Sequence, residues 1–294
     1  MRELISLMRK DPSIFLLAAD MGLGLVEPFQ NEFPDRFLNV GIAEQNLVGV
    51  CAGLCNVGFR PFAYTISNFL VQRSFEQIRN DLCLHDYPVT LVGTSTGFDN
   101  GNLGPTHQVI DDIGCIKIFP NMRIYSPSTV PSIKMILEDV MKNEHPAYVR
   151  IGKGSYNPEA VFSGINDFAL NIPSDVLVIT HGTTLENCIK AAHISNSFSI
   201  YCMNKVKPLD VDTLRKLFGE YKKIVVVEDH FVGSGLYNSL CQTLVESRIK
   251  DTTLYSIAPP DRYEDNVGDT DYFAEKYSYS PEKISRFVLS LVGS

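Results

Sequence analysis

No stretch of this 294-residue chain approaches about 18 unbroken apolar residues, so no membrane-spanning helix is expected. Nor is there a run of Lys or Arg. Lys plus Arg total 26 against 34 Asp plus Glu, a net charge of -8, which argues against nucleic acid or an anionic membrane as partner. No repeat of fixed short period and no low-complexity segment is present. Met1–Asp11 carries charges early and lacks an apolar core with a small-residue cleavage site, so no secretory leader is expected there. The seven cysteines form no metal-ligand pattern. Cys51 and Cys55 are four apart, but no second pair or nearby His completes a site. They read as small buried hydrophobes of a reducing, cytoplasmic compartment.

What is present is an ordinary globular composition, 45% hydrophobic and 20% charged, at a length suited to two domains. Strand-like runs at 14–19, 61–64, 89–92, 123–126 and 147–151 alternate with helical patterns at 44–56, 74–84, 109–118 and 128–144. Ser128 is the expected cap of the last helix, with Pro131 in its first turn. The pattern pauses in the Gly- and Pro-containing stretch 152–173 and then resumes. Strands are expected at 176–179, 198–201, 224–227 and 253–257, and helices at 185–195, 211–218, 235–248 and 281–291. The expected fold class is α/β, with two doubly wound domains at 1–155 and 173–294 joined by a linker at 156–172.

Ligands of parallel sheets bind beyond the carboxyl ends of the strands. In the first half those ends carry Asp20 and its glycine-rich turn, Ser67-Asn68-Phe69, the segment Gly93–His107, and Gly152-Lys153-Gly154. Glu44 opens a helix, where the dipole favours a carboxylate, yet Val40, Ile42, Leu47 and Val48 surround it. A carboxyl desolvated by such neighbours suits proton sharing. His107 ends a long glycine-punctuated loop and can donate or accept at neutral pH. Phe69 also suits core packing, and Arg73 a surface ion pair. Asp111 and Asp112 read as helix N-terminal charge. Lys153 lies between two glycines whose exposed N–H groups could join it on an anion. Glu228-Asp229-His230 has residue types for acid–base work, but three adjacent side chains do not all face one centre, and a structural turn fits better.

Several segments in this order resemble the C-terminal half of the transketolase family. They are Asn39-Val-Gly-Ile-Ala-Glu-Gln-Asn46, Gly58-Phe-Arg-Pro-Phe62, Arg73-Ser-Phe-Glu-Gln-Ile-Arg79, Gly104-Pro-Thr-His-Gln108 with Asp111-Asp112, and Phe119-Pro-Asn-Met122 leading to Ser126-Pro127. That family includes 1-deoxyxylulose-5-phosphate synthase, with 2-oxoacid dehydrogenase E1β more distant. The resemblance implies a pyrimidine-binding domain followed by a smaller C-terminal domain. It implies thiamine diphosphate as cofactor. The family's Gly-Asp-Gly segment, which holds the diphosphate and a divalent metal such as Mg2+, occurs nowhere here. The implication is a split enzyme: an N-terminal partner subunit supplies that site, this chain holds no metal of its own, and the assembly is α2β2.

The resemblance also assigns roles. Glu44 shares a proton with the aminopyrimidine ring nitrogen. Phe69 packs on that ring, and Arg73, Asp20 and Ile42 line the cofactor. His107 contacts substrate oxygens, and Lys153 stands where relatives carry an Arg for a substrate phosphate. Two substrate-facing positions depart from transketolases: Leu103 replaces an Asp and Ser95 replaces a His. The expected activity is transfer of a two-carbon ketol unit from a ketose donor to an aldehyde, with small-molecule sugars as substrates. Decarboxylation of a 2-oxoacid, in the manner of deoxyxylulose-phosphate synthase or E1β, and a non-catalytic paralogue are the alternatives.

Overall fold

The computed structural model describes residues 1–154 and 160–292. Residues 155–159, where the expected boundary between domain and linker falls, lie outside the described residues. The strands are β1 (Ile14–Ala18), β2 (Phe37–Asn39), β3 (Arg60–Ile66), β4 (Thr90–Thr94), β5 (Arg123–Tyr125), β6 (Ala147–Ile151), β7 (Asn166–Leu170), β8 (Val176–Thr180), β9 (Ser199–Met203), β10 (Lys205–Lys207), β11 (Lys223–Val227) and β12 (Thr253–Ile257). Among the described residues they form two sheets, ordered β10-β5-β6-β4-β3-β1-β2 and β12-β11-β8-β9-β7. Every neighbouring pair is parallel except β10 on β5 and β7 on β9, each an antiparallel edge. Val176–Thr180 and Ser199–Met203 are buried along their whole length, as apolar runs covered on both faces of a parallel sheet must be.

Local chemistry explains the main helices. The helix Glu44–Asn56 buries Leu47, Val48 and Cys51 on one face. It stops before Gly58, whose φ of 90° turns the chain back into β3. The helix Val130–Lys142 starts from a capping box. Thr129 Oγ1 accepts from Ser132 N at 3.2 Å, and Ser132 Oγ accepts from Thr129 N at 3.1 Å. The cap is therefore Thr129 and not the expected Ser128.

Other departures have similar causes. The helix expected over 109–118 shrinks to Asp112–Ile116, because Val109 exchanges two 2.8 Å backbone hydrogen bonds with Gly97. The stretch expected as linker contains β7, which seals the edge of the second sheet. β10 follows β9 but crosses over to extend the first sheet. The helices Arg2–Lys10, Glu27–Glu32 and Thr270–Lys276 and the short β2 were not expected. One apolar cluster runs through both halves, joining Leu91 and Ile113 to Ile179, Met203 and Val226, so the two sheets share a core.

Candidate active site

The carboxyl ends of the first sheet form one edge, in the order β6, β4, β3, β1 and β2. Beyond β3, Asn68 is buried and works in two directions. Its Oδ1 accepts the Phe69 N–H at 3.0 Å, and its Nδ2 donates to the Thr106 carbonyl at 2.6 Å. It thereby ties the helix bearing Phe69 to the loop bearing His107. The Phe69 and His107 rings meet edge to face, with centroids 5.3 Å apart. His107 Nδ1 lies 3.0 Å from Thr106 Oγ1.

Residues Phe69–Arg73 form a π-helical turn. Its i→i+5 bonding widens the coil, so the residue four positions along comes round over the first. Arg73 accordingly places its guanidinium 3.9 Å from the Phe69 ring centroid. Arg73 Nη1 also donates to both Glu44 oxygens at 3.0 Å. Glu44 is only 3% exposed. The structure thus brings Glu44, Arg73, Phe69 and His107 into one contiguous group. One face of Phe69, which the resemblance gives to the pyrimidine ring, is occupied here by Arg73.

The remaining expected residues spread along the same edge. Asp20 follows β1 at φ 45°, and its N–H donates to Asn39 Oδ1 at 3.0 Å. Ile42 and Leu103 project outward, 73% and 56% exposed. Ser95 is fully buried at φ 64°, and its hydroxyl has no partner among the described residues. Both amide atoms of the buried Gln108 are likewise unpartnered there. Lys153 is engaged at both its backbone N–H and its ammonium. Asp99 Oδ2 accepts that N–H at 2.7 Å, and Lys153 Nζ donates to Asn100 Oδ1 at 2.6 Å.

Sequence reasoning missed a buried ionic cluster behind this edge. Arg150, 1% exposed, donates from Nε to both Asp112 oxygens at 3.2 and 3.0 Å and from Nη1 to Asp229 Oδ1 at 2.8 Å. Its Nη2 donates to the Val109 carbonyl at 3.0 Å. Desolvation opposes the Arg150 charge, but Asp112 and Asp229 outweigh it and raise the pKa. Tyr148 donates to Asp112 Oδ2 at 2.6 Å, and burial with that carboxylate pushes the phenol well above its ordinary range. Asp112 is therefore not simple helix-end charge. Glu228, Asp229 and His230 indeed serve separate partners. Glu228 accepts the Leu236 and Tyr237 N–H groups at 2.7 and 3.0 Å, and Asp229 meets Arg150. His230 Nε2 accepts from Gly114 N at 3.3 Å, which leaves Nδ1 to donate to the Phe231 carbonyl at 3.2 Å. Burial lowers the His230 pKa in keeping with this neutral form. An arginine inside the otherwise apolar run Ala147–Ile151 was the one signal of this cluster.

Two family models match the chain: transketolase, pyrimidine binding domain, over residues 1–159, and transketolase, C-terminal domain, over residues 171–276. The chain belongs to the transketolase family. This is a thiamine-diphosphate-dependent family. The chain is 29% identical over 299 residues to 1-deoxy-D-xylulose-5-phosphate synthase of Rhodopirellula baltica, covering 98% of this chain and 46% of that protein. It thus spans about half the length of such relatives. It is 30% identical over 257 residues to one subunit of the apulose-4-phosphate transketolase of Phocaeicola vulgatus, covering 84% of this chain and 82% of that one. A solved split gene transketolase, an inactive beta4 tetramer, superposes with a TM-score of 0.85 at 27% identity, covering 98% and 95% of the two chains. Among the described residues no helix is long and apolar enough to cross a membrane, and no group of three His, Cys, Asp or Glu could hold a metal ion.

Proposed function

We propose that this chain is the pyrimidine-binding, C-terminal subunit of a split transketolase, which moves a two-carbon ketol unit from a ketose to an aldehyde acceptor. The observation that carries the reading is the buried Glu44 carboxylate joined through Arg73 to Phe69 and His107 at the sheet's carboxyl edge. A buried carboxylate beside an aromatic face fits a flat heterocycle with a ring nitrogen, so these residues suit the aminopyrimidine of thiamine diphosphate. When bound, that cofactor supplies a carbon nucleophile and an electron sink for breaking the bond beside a ketone.

This chain's own residues then orient and protonate. Glu44 holds a proton at the ring nitrogen, for which Arg73 must give up part of its hold on the carboxylate. Phe69 fixes the ring plane. His107, with Nδ1 turned to Thr106, presents Nε2 to substrate oxygens. The diphosphate and the divalent metal belong to a partner subunit, and two copies of each chain form the enzyme. The extensive coverage of a single apulose-4-phosphate transketolase subunit and of a split-gene chain supports this division.

Purified alone the chain is expected to be inactive, and active with its partner. Glu44→Gln is expected to abolish turnover while the melting temperature holds. Full activity in that variant overturns the reading. Leu103 and Ser95, an exposed apolar and a buried small residue at positions where transketolases carry Asp and His, favour a second reading with a less hydroxylated 2-oxoacid donor. Release of CO2 from pyruvate separates the two.

A further inference from the structure

The segment Phe98–His107 winds through three consecutive tight turns. Gly101 N donates to the Phe98 carbonyl at 2.8 Å, Gly104 N to the Gly101 carbonyl at 3.2 Å, and His107 N to the Gly104 carbonyl at 3.0 Å. Each turn begins where the previous one ends, so the segment is a continuous ladder that transmits a displacement from Phe98 to His107. Asn102, Leu103, Pro105 and Thr106 are exposed, so the ladder is fixed chiefly at its ends. At the His107 end, Asn68 Nδ2 holds the Thr106 carbonyl at 2.6 Å. At the Phe98 end, Asp99 and Asn100 meet Lys153.

The C-terminal half of the chain grips the Phe98 end as well. Phe98 is 1% exposed and stacks on Phe273, with ring centroids 4.1 Å apart and planes within 16°, and Tyr277 stacks beside both. Gly268 N donates to the Gly101 carbonyl at 3.3 Å. No side chain fits between them, because a Cβ at Gly101 would lie 2.5 Å from the Phe273 ring and 2.6 Å from the Gly268 oxygen. Phe273 lies on the helix Thr270–Lys276, which Asp269 caps by accepting Tyr272 N at 2.8 Å. Glu264, 4% exposed, latches the strap 264–277. It accepts from the Tyr277 hydroxyl, from Lys276 Nζ at 2.6 Å and from Asn266 N at 2.8 Å.

We infer that Glu264, Phe273 and Tyr277 are positioning residues, and that the strap they form sets the place of His107 by fixing the start of the ladder. With Asn68 as the sole anchor the ladder would pivot at Thr106. A displacement of about 1 Å at a group that contacts substrate costs on the order of 100-fold in rate, so a second anchor has a clear use. That use rests on the role proposed for His107, whereas the placement is measurable on the chain alone.

The test combines NMR of the full chain, carbon-labelled at its histidine rings, with amide hydrogen exchange. Loss of a signal in His107→Asn assigns the His107 ring, whose proton shifts report the Phe69 ring 5.3 Å away. Glu264→Ala should move that signal and speed exchange at Gly104 and His107 about tenfold, while the helix Glu44–Asn56 exchanges as in the parent. Gly101→Ala, which forces the ladder off the strap, should do the same and serves alone if Glu264→Ala does not fold. Glu264→Gln keeps an oxygen for Asn266 N and an NH2 group for the Tyr277 oxygen, so it should restore both the signal and the slow exchange. A strap that only stabilised the fold would lower the melting temperature without moving the His107 signal. The inference is overturned if the folded variants keep the parent's His107 signal and exchange, or if Glu264→Gln restores neither. Full activity in Glu44→Gln would count against the proposed function and leave these readouts unaffected.

Discussion

Replacing Arg150 with methionine removes the guanidinium that ties β6 to the loop after β11. The side chain is 1% exposed and spends its donors on Asp112, Asp229 and the Val109 carbonyl. Methionine fills much of the volume, so packing loss is small. The cost comes from two carboxylates left buried without their cation, about 3–5 kcal/mol, while the Val109 carbonyl keeps its 2.8 Å bond from the Gly97 N–H. Against a typical total stability of roughly 5–15 kcal/mol this is a large share. At about 2–4 °C per kcal/mol, the melting temperature should fall by roughly 6–20 °C. Because Asp112 belongs to the first sheet's side and Asp229 to the second's, calorimetry should also show the single transition splitting in two. Asp229→Asn supplies the control. It should destabilise the parent, yet cost less or even help in the Arg150→Met background, with a coupling of about 1–3 kcal/mol. An Arg150→Met protein melting within about 2 °C of the parent would refute the reasoning. So would an Asp229→Asn effect identical in both backgrounds.

Three further outcomes are expected. Burial first, and Asp112 next, push the Asp111 carboxyl to about 6, above its ordinary 3.8. A raised carboxyl contributes stability that is complete below the unfolded pKa and lost as pH rises through 6. Asp111→Asn should therefore gain about 1–2 kcal/mol at pH 8 and nothing at pH 4, read from urea midpoints. Glu264 is held at about 2, because hydrogen bonds from Lys276 and Tyr277 overcome the desolvation that would raise it. That contribution is present above the ordinary 4.5 and is lost as pH falls from 4.5 towards 2, so Lys276→Met should shift acid unfolding to higher pH. Gly97→Ala meets a φ of 58°, and its new methyl collides with the Asp229 carboxylate. A loss of about 2–4 kcal/mol by thermal unfolding is expected, and an unchanged melting temperature would contradict the close approach of the two halves.

Periodicity read the helices Glu44–Asn56 and Pro281–Leu291 and the strands around 147–151 and 253–257 closely, because each has a clear apolar face or run and a local stop signal. It failed at Asn166–Leu170 and Lys205–Lys207, whose pairing is with distant strands and leaves little trace in the local pattern. Of the candidate site, Glu44, Phe69, Arg73 and His107 were legible through motif order. Their mutual contact was not, since it depends on the π-helical turn and on Asn68 joining two loops 38 residues apart in sequence.

The amino-acid sequence alone determined the α/β alternation, the pair of domains and the strand ends at which the candidate residues lie, because short-range apolar spacing and turn residues encode them. Only the tertiary structure decided how the halves are held. Asp112 and Asp229 lie 38 and 79 residues from Arg150 along the chain, and nothing local predicts that one buried cation will serve both carboxylates. The same holds for Lys153, whose backbone N–H is accepted by Asp99, 54 residues earlier in the chain. Charges buried between elements find partners through the fold, and chain-local patterns do not record that choice.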